Sequence, residues 1–342
     1  ADMKDDAKIF SVLSALEKSN SGRVDSLHEF QWAAIQKFVK KLISDDSAPL
    51  IIRAPTGSGK SLVFYTCTAL MKVLKPGLND TFAFITFPTR ALNSQQFSEM
   101  VRFFYFLNKE GIEISLGMYM GQAGDAAVKP LDPSAYSDGD QIGLIESCPE
   151  CSCKKIIVKK PHSERMLPVC QDCKAEFSNI FLSNRETQRF CPNVLIGTPD
   201  KIVNALTHDV YSHTVFGAPS VKCKKCGSHK GLCWKDQKDE IIKCKVCGNE
   251  NDREKCMSRS TPCFVVFDEV HTLSGTSGNL LSHFLSLLQV VSRNYGNKEK
   301  FWYLGASATI ANQTELLHNL TGYPEDSMEV FPEKNDFEKY FP

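Results

Sequence analysis

The sequence predicts an α/β protein built on a parallel sheet with helices on both faces. Three observations carry this. Short apolar runs alternate with helix-compatible runs along most of the 342 residues, which is the pattern that crossovers between parallel strands produce. One strand-to-helix junction reads Ala54-Pro-Thr-Gly-Ser-Gly-Lys-Ser61, and a glycine-bearing loop in that position lets backbone N–H groups cradle phosphates. Two cysteine quartets interrupt the alternation and the pattern then resumes, so they read as small insertions into one domain spanning 1–342.

The elements follow in order. Residues 7–17 place Ile9, Phe10, Val12, Leu13 and Leu16 at helical spacing. Asp25 or Ser26 begins a second helix through Ile43, with Phe30, Ala34, Ile35 and Phe38 inward. Pro49 to Ile52 is the strand entering the phosphate loop, and Leu62 to Leu74 is the helix leaving it. Strands are expected at 81–87, 111–120, 193–196, 263–267 and 302–305, because parallel strands buried on both faces read as continuous apolar runs. Helices are expected at 93–107, from about Lys201, at 278–292 and at 312–321. Residues 122–145, rich in Gly, Asp and Pro, read as the start of one excursion, and Ser212 to Thr261 as a second. Tyr323 to Pro342, acidic and broken by proline, read as a linker or tail.

Composition narrows the class. Apolar residues make up 42%, enough for a large core, and no apolar run approaches the ~20 residues of a membrane span. The acidic N-terminus lacks a signal-peptide pattern, so a soluble, cytoplasmic protein with no membrane partner is expected. Net charge is zero, so no global basic field advertises nucleic acid. Fourteen cysteines without a secretory signal point to metal ligation before disulfides.

The chemistry sits at strand ends, where such sheets bind ligands. Lys60 is placed to reach the β- and γ-phosphates and the Ser61 hydroxyl to bind magnesium, with Thr56, Gly57, Ser58 and Gly59 forming the loop. Five apolar residues lead into Asp268-Glu-Val-His271. A carboxylate at such a tip can hold magnesium, and its neighbour can deprotonate the attacking water. Gln31, upstream of the loop, carries both a donor and an acceptor and suits an adenine edge. Pro88-Thr89-Arg90 and Gly197-Thr198-Pro199-Asp200 suit either a nucleic-acid backbone or ordinary helix caps.

The cysteines form C-x2-C-x18-C-x2-C at Cys148, Cys151, Cys170 and Cys173, and C-x2-C-x17-C-x2-C at Cys223, Cys226, Cys244 and Cys247. Both match zinc ribbons, assigned here to 146–175 and 221–249. An iron–sulfur cluster is the second choice and disulfides the third. Cys153, Cys233 and Cys256 lie near enough to replace a ligand, while Cys67, Cys191 and Cys263 read as small core residues. Between Lys222 and Cys247 eight lysines face three acidic residues, so this ribbon touches phosphates, docks a partner protein, or merely presents solvated lysines.

In this order, Gln31, APTGSGKS, PTRAL, GTPD, DEVH and Ser307-Ala-Thr309 resemble the first RecA-like lobe of a superfamily-two helicase of the DEAD/DEAH type. DEVH with GASATIAN looks closest to Lhr-like and MrfA-like helicases, some of whose relatives act in anti-phage defence. The resemblance covers the chain apart from the two cysteine insertions. It implies ATP and magnesium as cofactors, beside zinc in the ribbons, and nucleic acid as partner, DNA before RNA. It also implies that Asp268 holds magnesium, Glu269 is the general base, and His271 links the nucleotide to moving parts. Ser307 and Thr309 would couple hydrolysis to lobe movement. Thr89, Arg90, Thr198 and Asp200 would belong to the nucleic-acid track. Such motors close a second lobe, with an arginine finger, over the nucleotide. None is expected within these residues, so the chain alone is expected to hydrolyse ATP poorly. An ATP-switched nucleic-acid-binding scaffold is the reading from another class.

Overall fold

The computed structural model describes residues 3–20, 27–119, 131–204, 212–231, 240–308 and 312–341. The chain runs through α1 (Met3–Asn20), α2 (Glu29–Ile43), β1 (Leu50–Arg53), α3 (Lys60–Leu74), β2 (Ala83–Thr86), α4 (Arg90–Lys109) and β3 (Leu116–Tyr119). The first inserted region holds the hairpin β4 (Ile156–His162) and β5 (Arg165–Cys170). Then come β6 (Ile180–Phe181), α5 (Asn184–Phe190), β7 (Val194–Gly197) and α6 (Pro199–Val203). The second begins with α7 (Ser212–Phe216) and continues through β8 (Ser220–Lys222), β9 (His229–Gly231), β10 (Ile241–Lys243), β11 (Glu250–Asp252) and β12 (Met257–Ser258). The chain closes with β13 (Phe264–Phe267), α8 (Gly275–Asn294), β14 (Trp302–Ser307), α9 (Gln313–Thr321), β15 (Glu329–Phe331) and α10 (Phe337–Tyr340).

Eight strands form one sheet in the order β15-β1-β14-β13-β2-β7-β3-β6, and every pairing in it is parallel. Side chains alternate across it, as the pleat requires. Leu50, Ile52, Ala83, Ile85, Val194, Ile196, Phe264, Val266, Trp302 and Leu304 enter one core with α1 to α4. Ile51, Phe84, Leu195, Val265, Phe267 and Tyr303 enter the other with α8 and α9. Burial on both faces is why these strands carry almost no polar residue.

Two sequence expectations are corrected. The residues after Tyr323 are not a linker. β15 pairs with β1 as the edge strand, with Leu50 opposite Glu329 and Ile52 opposite Phe331. Beyond it, the Tyr340 ring meets Phe331 and the Phe341 ring meets Phe30 at 5.0 Å. Three residues are too short a run to announce a strand, so only the partner edge reveals it. Nor is the first insertion wholly an excursion. Tyr136, Ile142, Ile145, Cys148, Val158, Met166 and Phe177 join the core under α4, and β6 extends the main sheet beyond β3. The second insertion is more independent. Among the described residues its own apolar cluster is Val221, Ile242 and Cys256.

Candidate nucleotide site and cysteine clusters

The loop between β1 and α3 lines a cleft of about 600 Å³, together with Gln31, Asp268 and Glu269. Its shape depends on Gly59, which has φ 79°, a left-handed conformation that glycine adopts without penalty. A Cβ there would also lie 2.3 Å from Gln31 Nε2. Gln31 is buried because it braces this loop. Its amide nitrogen donates to the carbonyls of Gly59 at 3.2 Å and Ser58 at 3.4 Å. Its oxygen accepts from the His28 N–H at 3.0 Å, closing the first turn of α2. Sequence motifs did not show that α4 forms part of the wall. Gln95, Gln96 and Glu99 line the cleft, and their spacing on one helix face was the available signal.

A ring of polar contacts runs around the site. Lys60 Nζ donates to the Ala54 carbonyl at 3.1 Å and to Glu269 Oε1 at 3.2 Å. His271 Nδ1 lies 3.3 Å from Glu269 Oε2 and 3.2 Å from Ser307 Oγ. The Ser307 carbonyl accepts from the Ala54 N–H at 3.3 Å. Parallel pairing of β13, β14 and β1 makes this closure, since it brings three strand ends to one edge. Glu269 itself is left-handed, with φ 49° and ψ 56°, which turns the chain sharply off β13. Ser61 is half-buried at the start of α3 and lines the cleft. Thr309 lies outside the described residues.

Asp268 is 7% exposed, and its Oδ1 is buried without a hydrogen-bond partner. Burial, then the neighbouring Glu269 charge, raise its carboxyl from 3.8 to about 6, against the opposing pull of Lys60. A carboxyl raised on folding leaves the folded chain holding a proton that the unfolded chain has released. Stability is therefore fully present below pH 3.8 and declines as pH rises through about 6. Asp268→Asn, uncharged throughout, should unfold at a higher temperature than the parent at pH 7 without nucleotide or metal. The gap should shrink as pH falls from 6 to 4. Thermal unfolding of both proteins across that range checks this, and a pH-independent gap would refute it.

Thr89 and Arg90 are exposed after β2 and Asp200 after β7, and these strands are neighbours, with Thr86 opposite Gly197. Thr89 caps α4, accepting from the Leu92 N–H at 3.2 Å. Thr198 occupies the cap position of α6 without a side-chain bond. Gly197 is demanded by packing, because a Cβ would lie 2.3 Å from the Tyr119 carbonyl oxygen.

Each cysteine quartet converges, with all four sulfurs within 4.8 Å of one another. The nearest pairs stand 3.5 Å apart in the first and 3.6 and 3.7 Å in the second. Four ~2.3 Å bonds to a tetrahedral zinc place sulfurs ~3.8 Å apart, whereas a disulfide needs ~2.05 Å. Both quartets therefore fit zinc. Cys153 takes the Lys155 N–H and Cys256 is an apolar packing residue, so neither joins a quartet. Cys233 lies outside the described residues. Several ribbon cations are already engaged. Lys159 pairs with Glu176, Lys160 donates to the Pro133 and Tyr136 carbonyls, Lys222 pairs with Asp80, and Arg165 is buried against Glu186.

Strand order, a phosphate loop after the first strand, and acids at the tip of a nearby strand define a RecA-like nucleotide-binding lobe. Residues 28–131 match the family model described as DEAD/DEAH box helicase. Among solved structures, the DUF1998 helicase MrfA aligns with TM-score 0.50 at 19% identity, over 94% of this chain and 32% of that one. Mss116p bound to ssRNA and AMP-PNP aligns with TM-score 0.50 at 15% identity, over 94% and 42%. Mycobacterium smegmatis helicase Lhr, bound to ssDNA and AMP-PNP, gives 0.48 at 15% identity, over 93% and 27%. The chain thus spans about a third of MrfA's length. No curated protein matches the chain by sequence. Among the described residues no helix is long and apolar enough to cross a membrane.

Proposed function

We propose that this chain is the ATP-binding lobe of an ATP-dependent DNA helicase or translocase, working with a second lobe that closes over the cleft. The contact ring from Ala54 through Lys60, Glu269 and His271 to Ser307 carries the reading. A nucleotide that draws Lys60 onto its phosphates breaks the Lys60–Glu269 contact and frees Glu269 to take a proton from water. The loss is felt at His271 and so at the end of β14, the natural place for hydrolysis to reach moving parts. Asp268 Oδ1 and the Ser61 hydroxyl are the donors for magnesium, which supplies charge neutralisation at the phosphates. The unpartnered buried oxygen of Asp268 fits that role. Gln31 has both amide hydrogens on the loop, leaving one lone pair on its oxygen for the exocyclic amino group of adenine.

Pro88, Thr89, Arg90, Gly197, Thr198 and Asp200, on adjacent strand ends, form the nucleic-acid track in this proposal. DNA is favoured over RNA by the DEVH and GASATIAN resemblance. The same resemblance makes anti-phage defence the proposed setting. Mg-ATP binding by this chain, with hydrolysis by the protein that carries the second lobe measured against single-stranded DNA and single-stranded RNA, tests the proposal. Binding abolished by Lys60→Ala, with turnover stimulated by DNA, is expected. RNA-only stimulation would replace DNA with RNA, and no nucleotide binding would overturn the reading.

The quartets are proposed to hold zinc, and the two ribbons should respond differently to its removal. Structural zinc contributes ~10 kcal/mol or more to small ribbons. Among the described residues the second has three apolar core residues of its own, whereas the first shares the main core. Chelation should therefore make 221–258 protease-sensitive while 146–175 stays protected, read by limited proteolysis with mass spectrometry. Equal sensitivity of both would contradict this.

A further inference from the structure

Outside the cleft and the quartets, a third set of metal-ligating side chains converges. Cys191 ends α5, His213 lies on α7 and His229 on β9, and each offers a ligand atom within 4.8 Å of the others. They are 3%, 7% and 4% exposed. We propose that Cys191, His213 and His229 bind a third divalent ion of the zinc class, with Asp80, whose Oδ2 lies 3.5 Å from His229 Nε2, the carboxylate poised to complete its shell.

One thiolate, two imidazoles and a carboxylate are all ordinary tetrahedral zinc ligands. The surroundings of both histidines match those of ligating imidazoles, which donate their other ring N–H to a nearby acceptor. His213 Nε2 lies 2.9 Å from the Gln188 carbonyl, so it carries the proton and Nδ1 keeps a lone pair. His229 Nδ1 lies 2.6 Å from the Ser220 hydroxyl. Its Nε2 is buried without a hydrogen-bond partner, 3.5 Å from Asp80 Oδ2. A buried nitrogen left so is costly unless something takes its lone pair. Cys191 occupies the C-cap of α5 with φ 44°, where glycine is usual. Its sulfur touches the Thr214 hydroxyl at 3.3 Å. Asp80 also pairs with Lys222 and Ser258, which holds its carboxylate in place.

The ion would tie together parts of the chain far apart in sequence, adding to the contacts of Cys191 with Thr214, His213 with Gln188 and Asp80 with Lys222. β9 belongs to the insertion's own sheet with β8 and β12, α7 packs on α8, Cys191 precedes β7 and Asp80 precedes β2. Binding exchanges the Cys191 S–H proton to solvent for an S–metal bond. The second ribbon is thereby fixed to the sheet beside the strands whose ends carry Thr89 and Asp200.

The test is the metal content and zinc X-ray absorption of the full 342-residue chain, saturated with zinc and desalted. About three zinc ions per chain are expected, with about three sulfur neighbours per zinc on average. Cys191→Ser and His213→Gln should each lower the content to about two and restore a shell of about four sulfurs. About two zinc ions in the parent, in an all-sulfur shell, would overturn the proposal. So would a third zinc that survives both substitutions. Should either variant fail to fold, the sulfur count of the parent still decides.

Discussion

Glu269→Gln is expected to lower ATP hydrolysis by about 10²- to 10⁴-fold, the range for loss of a positioned general base, while nucleotide binding stays within a few-fold. The carboxylate lies between two side chains, with Lys60 Nζ at 3.2 Å from one oxygen and His271 Nδ1 at 3.3 Å from the other. Glutamine keeps the size and the left-handed backbone but carries no base. Its amide oxygen can still meet Lys60, so the phosphate loop keeps its shape and the nucleotide its site. Single-turnover hydrolysis beside equilibrium binding, in the ATP-hydrolysing protein, separates the two effects, with Lys60→Ala as the variant that loses binding. Hydrolysis within two-fold of the parent would remove Glu269 from the chemistry. Loss of binding and hydrolysis together would assign it to the loop's architecture instead.

The largest effect on stability should come from Glu186→Ala, at about 3–5 kcal/mol. Glu186 is fully buried. One oxygen accepts from Arg165 Nη1 at 2.6 Å and the Met166 N–H at 2.9 Å, and the other from the Leu182 N–H at 3.0 Å and the Ser183 hydroxyl at 3.2 Å. Arg165 also donates to the Ser178 carbonyl at 3.0 Å and stacks its guanidinium 4.3 Å from the Phe181 ring centre. The pair thus ties the ribbon hairpin at β5 to the edge strand β6 and to α5. Alanine leaves a buried guanidinium without its counter-charge and two backbone donors without acceptors, and it is the unpaired charge that costs the most. Removing both charges together, as in Arg165→Met with Glu186→Leu, should recover much of the loss. Urea denaturation of the two single variants and the double variant measures the coupling. A loss below about 1 kcal/mol for Glu186→Ala would show that water reaches the site and replaces the carboxylate.

Much of the site was legible because its signals are local. The phosphate loop requires glycine at Gly59 for backbone geometry, and the same residues fix where β1 ends and α3 begins. Each cysteine quartet is two tight C-x2-C turns, and each turn presents two of the converging sulfurs from residues close together in sequence. The parallel strands announce themselves because both faces are buried. Gln31 shows where that reach ends. Its place before the loop pointed to the nucleotide, but that its amide holds the loop carbonyls is visible only with α2 laid against α3.

By itself, then, the sequence determined the α/β class, the strand-borne phosphate loop and acids, and the two cysteine quartets that fit zinc. These rest on conformational and coordination preferences that act over a few residues. The tertiary structure alone decided the sheet order, the conversion of the acidic tail into β15 on the edge beside β1, and the ring joining Lys60, Glu269, His271 and Ser307. It also decided the meeting of Cys191, His213 and His229, with Asp80 against His229. Those arrangements join residues tens to hundreds of positions apart. Their stability comes from packing and strand pairing gained only after long loops close, and no local pattern records which ends will meet.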